Sequence, residues 1–282
     1  MSRTSSHFGT PGRLPGAAPD ATVDPAWQPW VSLVDLTLAE AEDAAWATVV
    51  PVPVERHADA PLLHGSTLRL DGRRARSHVQ RLGGAIGLCA TEDVDAVELI
   101  RAAIARDDAA MLRIALQTGV SPETIAVLGQ LAAMPLLHAC ARSLAGEVSP
   151  AWQRGWCPVC GAWPVLAEMR GIERDRRLRC GCCTADWSLP VLHCVFCDEI
   201  DHHRLGFLVV EAEGEGEERH GRVEVCDSCH GYLKTVTTLG MLAPHVLVRY
   251  DLATVPIDLA AQERGYARPP RPAWAPDVRL VA

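Results

Sequence analysis

Eight of the eleven cysteines in this 282-residue chain form four Cys-x-x-Cys pairs. Two thiolates at this spacing lie on one tight turn and can bind the same tetrahedral metal ion, so two pairs complete a site with four sulfur ligands. Four pairs within residues 157–229 therefore predict two metal sites. The pairs are Cys157 with Cys160, Cys180 with Cys183, Cys194 with Cys197, and Cys226 with Cys229.

The lengths of the connecting segments favour the pairing of neighbouring motifs. Nineteen residues separate Cys160 from Cys180, which is close to the spacing of two metal-binding turns joined by a hairpin. Twenty-eight residues separate Cys197 from Cys226 and fit a longer hairpin, whereas only ten separate the second pair from the third. We therefore predict that the first two pairs form one site and the last two form the other. An interleaved arrangement also satisfies the sequence.

The segment CGCCTADW (180–187) holds a third cysteine between the two that have the metal-binding spacing. Cys182 cannot easily point to the same side of the turn as its neighbours, so we predict that it is not a ligand. Four histidines adjoin the motifs, and the eight well-spaced thiolates favour roles for them outside the ligand sets. They are His193, His202, His203 and His230.

Four thiolates suit zinc or a single iron ion, and the spacing does not separate the two metals. A purely structural role is the simplest interpretation, because a small β domain with little core needs such cross-links. A thiol or electron-transfer protein that uses iron is an alternative. A thioredoxin-like site is disfavoured because it needs one pair in a βαβ context.

The charge of the chain bears on its partners. A net charge of −8 disfavours a nucleic-acid binder, whose affinity comes largely from neutralising phosphates. The segment RGIERDRRLR (170–179) carries five arginines and could bind an acidic partner or nucleic acid, although a solvated hairpin is the more usual interpretation. A zinc-ribbon module that binds nucleic acid or protein therefore stays open as an alternative function for this chain.

The sequence suggests a cytoplasmic protein. It shows neither a secretory signal nor an apolar run of the roughly 18 residues that cross a membrane. Clustered cysteines without an export signal more often bind metal than form disulfides. We find no P-loop, dinucleotide fingerprint, nucleophile elbow or metalloprotease motif, so the sequence does not predict an enzyme. The oligomeric state is left open.

The predicted secondary structure that positions the cysteines changes from helix to strand near residue 156. Before it, helical patterns cover 36–50, 94–108, 107–119 and 121–146, the last with Ser121 as N-cap and Pro122 at its first position. After residue 156, short β-type runs separate the cysteine pairs. The pattern of residues 206–226 predicts a β-hairpin with an acidic loop. A helix over 251–266 and an extended Pro-rich tail follow.

These patterns predict an α+β fold with five parts. An α-helical N-terminal domain is followed by two small β modules of the rubredoxin or zinc-ribbon kind and by a C-terminal helix. The predicted boundaries are a disordered leader (1–25), the helical domain (26–150), the first metal module (151–192), the second metal module (193–250), and the C-terminal helix with its tail (251–282).

Five segments resemble the FdhE family of formate dehydrogenase accessory proteins in order and spacing. They are WQRGWCPVCGAWPVLAEMR, LRCGCCTADW, VLHCVFC, VCDSCHGYLKTV and DLATVPIDLAAQERGY. The resemblance covers about residues 150–266, and the N-terminal half shares only its helical character.

The resemblance implies a cytoplasmic assembly factor and not an enzyme. It implies that the eight paired cysteines bind two metal ions, with iron as the family's metal and zinc the alternative from the donor set. It also implies a partner, the catalytic subunit of a respiratory formate dehydrogenase, which is bound during maturation before export by the twin-arginine route. Membrane insertion and nucleic-acid binding are not expected.

Overall fold

The computed structural model describes residues 25–48, 59–88, 94–211, 220–269 and 274–281. The predicted leader lies almost entirely outside these residues. Within the described residues, five α-helices precede the first cysteine pair, and a short 3-10 helix, Ala44–Thr48, follows the first of them. The five are α1 (Gln28–Glu42), α2 (Gly72–Ala85), α3 (Ala96–Ala105), α4 (Asp108–Thr118) and α5 (Pro122–Leu144).

Short polar residues begin most of these helices. Asp71 and Asp95 accept backbone N–H groups of the first turns of α2 and α3, and Ser121 accepts the N–H of Thr124 at the start of α5. Such caps satisfy amide groups that have no acceptor within the helix. Gly119 ends α4 in the left-handed conformation. The predicted start of α5 at Ser121 and Pro122 is confirmed.

Helix α5 is the centre of the helical half, and α1, α2, α3 and α4 all contact it. Contrary to the expectation from the sequence, the described residues include one segment, Pro122–Glu147, that is long and apolar enough to cross a membrane, and α5 forms most of it. However, 72% of its most apolar window is buried inside the protein. That burial is typical of the central helix of a globular core.

The helices α1 and α2 differ most from the prediction. The expected helix over 36–50 starts earlier, at Gln28, and ends at Glu42, because Asp43 adopts an extended conformation and its side chain accepts the N–H of Ala45. Helix α2 was not predicted, although Asp71 and the apolar spacing of Ala75, Val79 and Leu82 carried a signal for it.

The two cysteine modules share one six-stranded sheet. Its order is β4-β3-β2-β7-β6-β5, and every neighbouring pair is antiparallel except β2 with β7. That parallel pair joins the first module to the second. The strands are β2 (Pro164–Arg170), β3 (Asp175–Cys180), β4 (Asp186–Ser188), β5 (Leu205–Glu211), β6 (His220–Cys226) and β7 (Gly231–Thr238). The predicted hairpin is confirmed as β5 and β6; its acidic loop lies outside the described residues.

The arginine-rich segment forms the β2–β3 hairpin, but two of its arginines are buried. Arg179 pairs with Glu168 on the neighbouring strand, and both side chains are almost fully buried. Arg176 pairs with Glu224 of β6 and donates to the carbonyl of Pro190. The sequence pattern indicated a solvated hairpin, and the pairing with the carboxylates of Glu168 and Glu224 explains why these guanidinium groups can leave water.

The C-terminal helical region consists of two helices, α6 (Pro244–Ala253) and α7 (Val255–Glu263). Pro256 in the first turn of α7 separates them, because proline cannot continue the preceding helix. Buried Lys234 on β7 holds both helices: its Nζ lies 2.5 Å from Asp251 Oδ1 and 2.8 Å from Asp258 Oδ2. The same Nζ donates to the Asp251 carbonyl at 2.9 Å.

The C-terminal tail returns to the helical half. Strand β8 (Arg279–Val281) pairs in parallel with β1 (Thr67–Arg69), which lies just before α2. One hydrophobic cluster contains Leu99, Leu136, Cys157, Trp187 and Val278, and so runs from the helices through the first cysteine module to the tail. The predicted fold class is confirmed. The domain boundaries remain predictions.

Candidate metal centres

The structure brings the eight paired cysteines together in the two predicted groups of four. In each group, the Sγ atoms all lie within 4.8 Å of one another. The first centre consists of Cys157, Cys160, Cys180 and Cys183, and the second consists of Cys194, Cys197, Cys226 and Cys229. The interleaved arrangement is therefore not adopted.

The sulfur separations fit a tetrahedral metal ion. A metal–sulfur bond of about 2.3 Å places two ligand sulfurs of a regular tetrahedron about 3.8 Å apart. Across the first centre, Cys157 lies 3.5 Å from Cys183 and Cys160 lies 3.5 Å from Cys180. In the second centre, the Sγ atoms of Cys194 and Cys229 lie 3.7 Å apart, and so do those of Cys197 and Cys226. Both clusters can therefore bind a metal ion, and the role of each cysteine as a ligand stays a prediction.

All four Cys-x-x-Cys turns have the same backbone shape. The residue after each pair adopts a positive φ angle: Gly161 at 75°, Thr184 at 61°, Asp198 at 59° and His230 at 54°. In the first three turns, the N–H of this residue donates to the carbonyl of the first cysteine. The turn also points amides at sulfur, as when Val159 N lies 3.4 Å from Cys157 Sγ. Such amides stabilise a thiolate.

Burial governs the protonation of the first centre. All four of its cysteines are buried. Burial raises the pKa of Cys180 and Cys183 well above the usual range for a thiol, because a buried thiolate loses its hydration. Hydrogen bonds from the neighbouring thiols, Cys157 first, lower the pKa of Cys160. A bound divalent cation would offset the charge of four thiolates in this dry position.

The second centre is more open. Cys194 and Cys226 are buried, whereas Cys197 and Cys229 are exposed. Burial raises the pKa of Cys194 above its usual range and that of Cys229 to about 11. For Cys226, burial is outweighed by the backbone N–H groups of Cys229 and Ser228, and the pKa is lowered. The two centres thus share a donor set but differ in access to solvent.

Cys182 lies outside both groups, as predicted. Its backbone N–H lies 3.4 Å from Cys180 Sγ, and Gln130 Nε2 lies 3.8 Å from its own sulfur. Its hydrogen bond with Cys180 and then its burial raise the pKa of the Cys182 thiol. Cys182 is therefore a neighbour of the first centre that lies outside both four-cysteine groups, and it provides a matched control for changes to them.

The buried residues His138 and Cys140, and the tryptophans around the first centre, have packing roles. His138 and Cys140 lie in the core on α5; burial lowers the pKa of His138 to about 4 and raises that of Cys140 to about 12. Tryptophans pack around the first centre: the Trp156 ring contacts those of Trp152 and Trp163, and Trp187 is buried. Trp163 also contacts Phe196 of the second centre's first turn.

Sequence reasoning missed the segments that hold the first centre against the helical half. The N–H groups of Leu62 and Leu63 donate to the carbonyls of Pro158 and Val159, inside the first cysteine turn. Arg106, at the end of α3, donates to the Cys160 carbonyl at 3.2 Å and also to the Trp274 carbonyl. No local pattern marks these contacts, because they join segments 54 to 168 residues apart.

Gly161 is the position where this junction is tightest. A Cβ atom there would lie 2.8 Å from Trp274 Cβ and 2.9 Å from the Trp274 carbonyl oxygen. Thr184 and His230 show that side chains are tolerated in the same turn, so the close approach and not the φ angle requires glycine. We expect Gly161→Ala to destabilise the protein by about 2–3 kcal/mol, because the tail must move away from the turn.

Gly171 provides the matched control for this change. Its φ angle is 67°, similar to that of Gly161, but no atom lies within 4 Å of a Cβ built there. Gly171→Ala should cost only the backbone strain of about 1 kcal/mol. Thermal unfolding of both variants at equal metal content measures the difference. Equal shifts in Tm would show that the tail does not constrain the turn.

The fold and the site together define an α+β protein that carries two four-cysteine centres on one sheet. The first centre is buried in the core, and the second is partly exposed to solvent. Comparison with known proteins then shows which family the chain resembles. Residues 192–272 match the family model described as "FdhE, C-terminal domain". The resemblance of this chain to the FdhE family is therefore confirmed, and the matched segment contains the second four-cysteine centre.

Individual relatives agree with this assignment. A "Protein FdhE homolog" of Aquifex aeolicus (strain VF5) is 27% identical over 158 residues, which cover 54% of this chain and 53% of that protein. A homolog of the same description from Pseudomonas aeruginosa is 32% identical over 127 residues, covering 44% of this chain and 40% of the relative. The chain thus spans about half or less of the length of these relatives.

A solved structure supports the fold. The crystal structure of the FdhE protein from Pseudomonas aeruginosa is similar with a TM-score of 0.55 and covers 91% of this chain and 97% of its own. The sequence identity across that superposition is 20%, so this likeness bears on the fold alone.

Proposed function

We propose that this protein is an accessory factor in formate dehydrogenase maturation. It binds the catalytic subunit in the cytoplasm, before export by the twin-arginine route, and does not itself turn over formate. The observation that carries the proposal is the pair of four-cysteine clusters in a chain with an FdhE C-terminal domain.

Both centres hold a metal ion in this proposal. The ligands of the first are Cys157, Cys160, Cys180 and Cys183, and those of the second are Cys194, Cys197, Cys226 and Cys229. Four thiolates bind zinc or iron tightly, and family resemblance favours iron. When bound, iron would supply a one-electron couple and zinc only a structural cross-link. The chain's own contribution is to hold four sulfurs at tetrahedral spacing and direct amide N–H groups at them.

The two centres have different roles in this proposal. The first is buried against the helical half and fixes the architecture. The second centre exposes Cys197 and Cys229, so a client protein or a dissolved oxidant or reductant can reach its sulfur atoms. Reactive thiol and metal–thiolate chemistry depends on this kind of access. We therefore place sensitivity to the client or to the redox environment at the second centre.

The nucleic-acid alternative loses its best feature in the structure. The sequence segment with five arginines offered the strongest basic patch, yet Arg176 and Arg179 are buried in ion pairs and Arg170 and Arg177 both contact Asp186. Cations that are already neutralised release few counterions on binding a phosphate backbone. A protein client therefore fits this chain better than nucleic acid does.

Anaerobic affinity capture from the protein's own host tests the proposal. The host is grown so that formate dehydrogenase is expressed, and the expected dominant partner is the catalytic subunit with its signal peptide still attached. The double variant Cys194→Ser, Cys197→Ser is expected to lose one metal equivalent and to lower formate dehydrogenase activity in the host. Iron or zinc is assigned by elemental analysis together with electron paramagnetic resonance.

Cys182→Ser is the control, because it changes a thiol that lies outside both clusters. It should retain both metals and full maturation. If the double variant lost its metal but still supported normal formate dehydrogenase activity, the second centre would have no part in maturation. If the catalytic subunit were absent from the captured material, the proposed partner would be wrong.

A further inference from the structure

Beside the second centre lies a group of nitrogen and oxygen donors that the proposed function does not use. Asp201, His202 and His203 follow Cys197 on the segment that leads to β5, and one ligand atom from each lies within 4.8 Å of the others. The two imidazole rings are stacked with centroids 3.9 Å apart, and His202 Nδ1 lies 3.9 Å from Asp201 Oδ1. All three residues are exposed.

The segment that carries this group is fixed against the second centre. Ser228, inside the last cysteine turn, donates to Glu199 Oε2, and Asp227 N donates to the Arg204 carbonyl at 2.8 Å. Glu199 Oε1 accepts the N–H groups of Ile200 and Asp201, each at 3.0 Å. The donor group is therefore held beside the second centre and does not sit on a free loop.

The local chemistry suits a divalent first-row metal ion. Two imidazoles and one carboxylate are ligands for zinc, iron, cobalt and nickel, and three protein ligands leave positions for exchangeable water. Residues 198–204 carry three carboxylates against one arginine, so the local charge attracts cations. Four protein thiolates, by contrast, would fill a tetrahedral coordination shell and leave no position for exchangeable water.

We propose that Asp201, His202 and His203 form a surface transit site that captures a divalent metal ion and passes it to the second centre. The capture is direct coordination, and transfer replaces the imidazole and carboxylate ligands by thiolates, beginning at exposed Cys197. Each thiol that becomes a ligand releases its proton to water, so no oxidant or reductant is needed. The buried first centre has no comparable group beside it among the described residues.

Nickel binding tests the capture step. The anaerobic full-length protein, with both cysteine centres loaded with Zn²⁺, is titrated with Ni²⁺ in a calorimeter while its zinc content is followed. We expect one further, weaker equivalent of Ni²⁺, which the double variant His202→Ala, His203→Ala loses. His245→Ala is the control, because His245 is exposed on α6 and belongs to no donor group of the described residues. Unchanged Ni²⁺ binding by the double variant would overturn the site.

Cobalt loading tests the transfer step. Protein that keeps Zn²⁺ in the buried first centre, and whose exposed second centre has been emptied with a chelator, is mixed with Co²⁺, and thiolate-to-cobalt absorption is followed by stopped flow, with Cys197→Ser identifying the signal of the second centre. The double variant His202→Ala, His203→Ala should slow this loading about tenfold, whereas His245→Ala should leave it unchanged. Lost Ni²⁺ binding with unchanged Co²⁺ loading would overturn the transit role. The inference rests on the second centre holding metal; absence of thiolate absorption in every variant would instead refute the proposed centres themselves.

Discussion

Replacing Cys160 by serine is expected to unfold most of the protein, including the helical half. Cys160 is buried, and its carbonyl accepts a hydrogen bond from Arg106 at the end of α3. The first centre also belongs to the same hydrophobic core as α5. A structural metal site contributes about 10–16 kcal/mol, which matches or exceeds the 5–15 kcal/mol of net stability in a typical domain. Losing the first centre should therefore remove the helical circular dichroism signal at 37 °C.

The second centre provides the matched comparison. Cys197→Ser changes the equivalent second cysteine of a pair, but this residue is exposed, and the strand β5 that follows its turn is at the edge of the sheet. We expect this variant to lose one metal equivalent and to keep its helical signal. Cys182→Ser should keep both metals and a Tm close to that of the unchanged protein.

Circular dichroism and elemental analysis of the same preparations distinguish these outcomes. If Cys160→Ser kept its helical signal with one metal bound, the first centre would not support the helical half. If Cys197→Ser unfolded the helices as well, the two centres would act as one cooperative unit, contrary to the difference in burial.

Replacing Lys234 by methionine is expected to be the second most damaging change. The Lys234 side chain is 1% exposed, and its ammonium group lies against Asp251 Oδ1, Asp258 Oδ2 and the Asp251 carbonyl. Those three acceptors match its three N–H donors. Methionine fills a similar volume but leaves the acceptors with a weaker set of donors, namely Arg268 and Tyr232.

The expected magnitude follows from the burial of the pair. Breaking a fully buried ion pair costs about 3–5 kcal/mol, and the partial exposure of the two aspartates reduces this to about 2–3 kcal/mol. For a protein of this size, that corresponds to a fall in Tm of roughly 5–10 °C. Differential scanning calorimetry at fixed metal loading measures it, and the loss should appear in the docking of α6 and α7.

Arg249→Ala is the control for Lys234. Arg249 pairs with Asp35 across the contact between α6 and α1, but both side chains are about half exposed. Exposed pairs contribute about 0–1 kcal/mol, so this variant should lose at most about 3 °C. A similar shift for both variants would mean that the buried lysine holds the helices no better than a surface contact does.

These ion pairs also explain part of the sequence resemblance. The motif GYLK places Tyr232 and Lys234 on β7, and the segment DLATVPIDLA places Asp251 and Asp258 on two successive helices. Tyr232 donates to Asp258 at 2.9 Å, and Lys234 contacts both aspartates. The two motifs therefore belong to one structural unit that attaches the C-terminal helices to the sheet.

The sequence alone determined the features that depend on short-range spacing. Cys-x-x-Cys spacing identified all four cysteine turns, because the turn is a local structure, and segment lengths predicted which turns meet. The exclusion of Cys182 followed from the same geometry. The start of α5, the end of α4 and the β5–β6 hairpin were also predicted, since caps and hairpins depend on neighbouring residues.

Only the tertiary structure decided how these local units combine. The parallel pairing of β2 with β7, the return of β8 to β1, and the contact of Arg106 with the first cysteine turn join segments far apart in sequence. Such contacts depend on the packing of complementary surfaces, which no local periodicity records. The same packing buries the first centre and leaves the second exposed, so identical cysteine motifs acquire different access to solvent and, in our proposal, different roles.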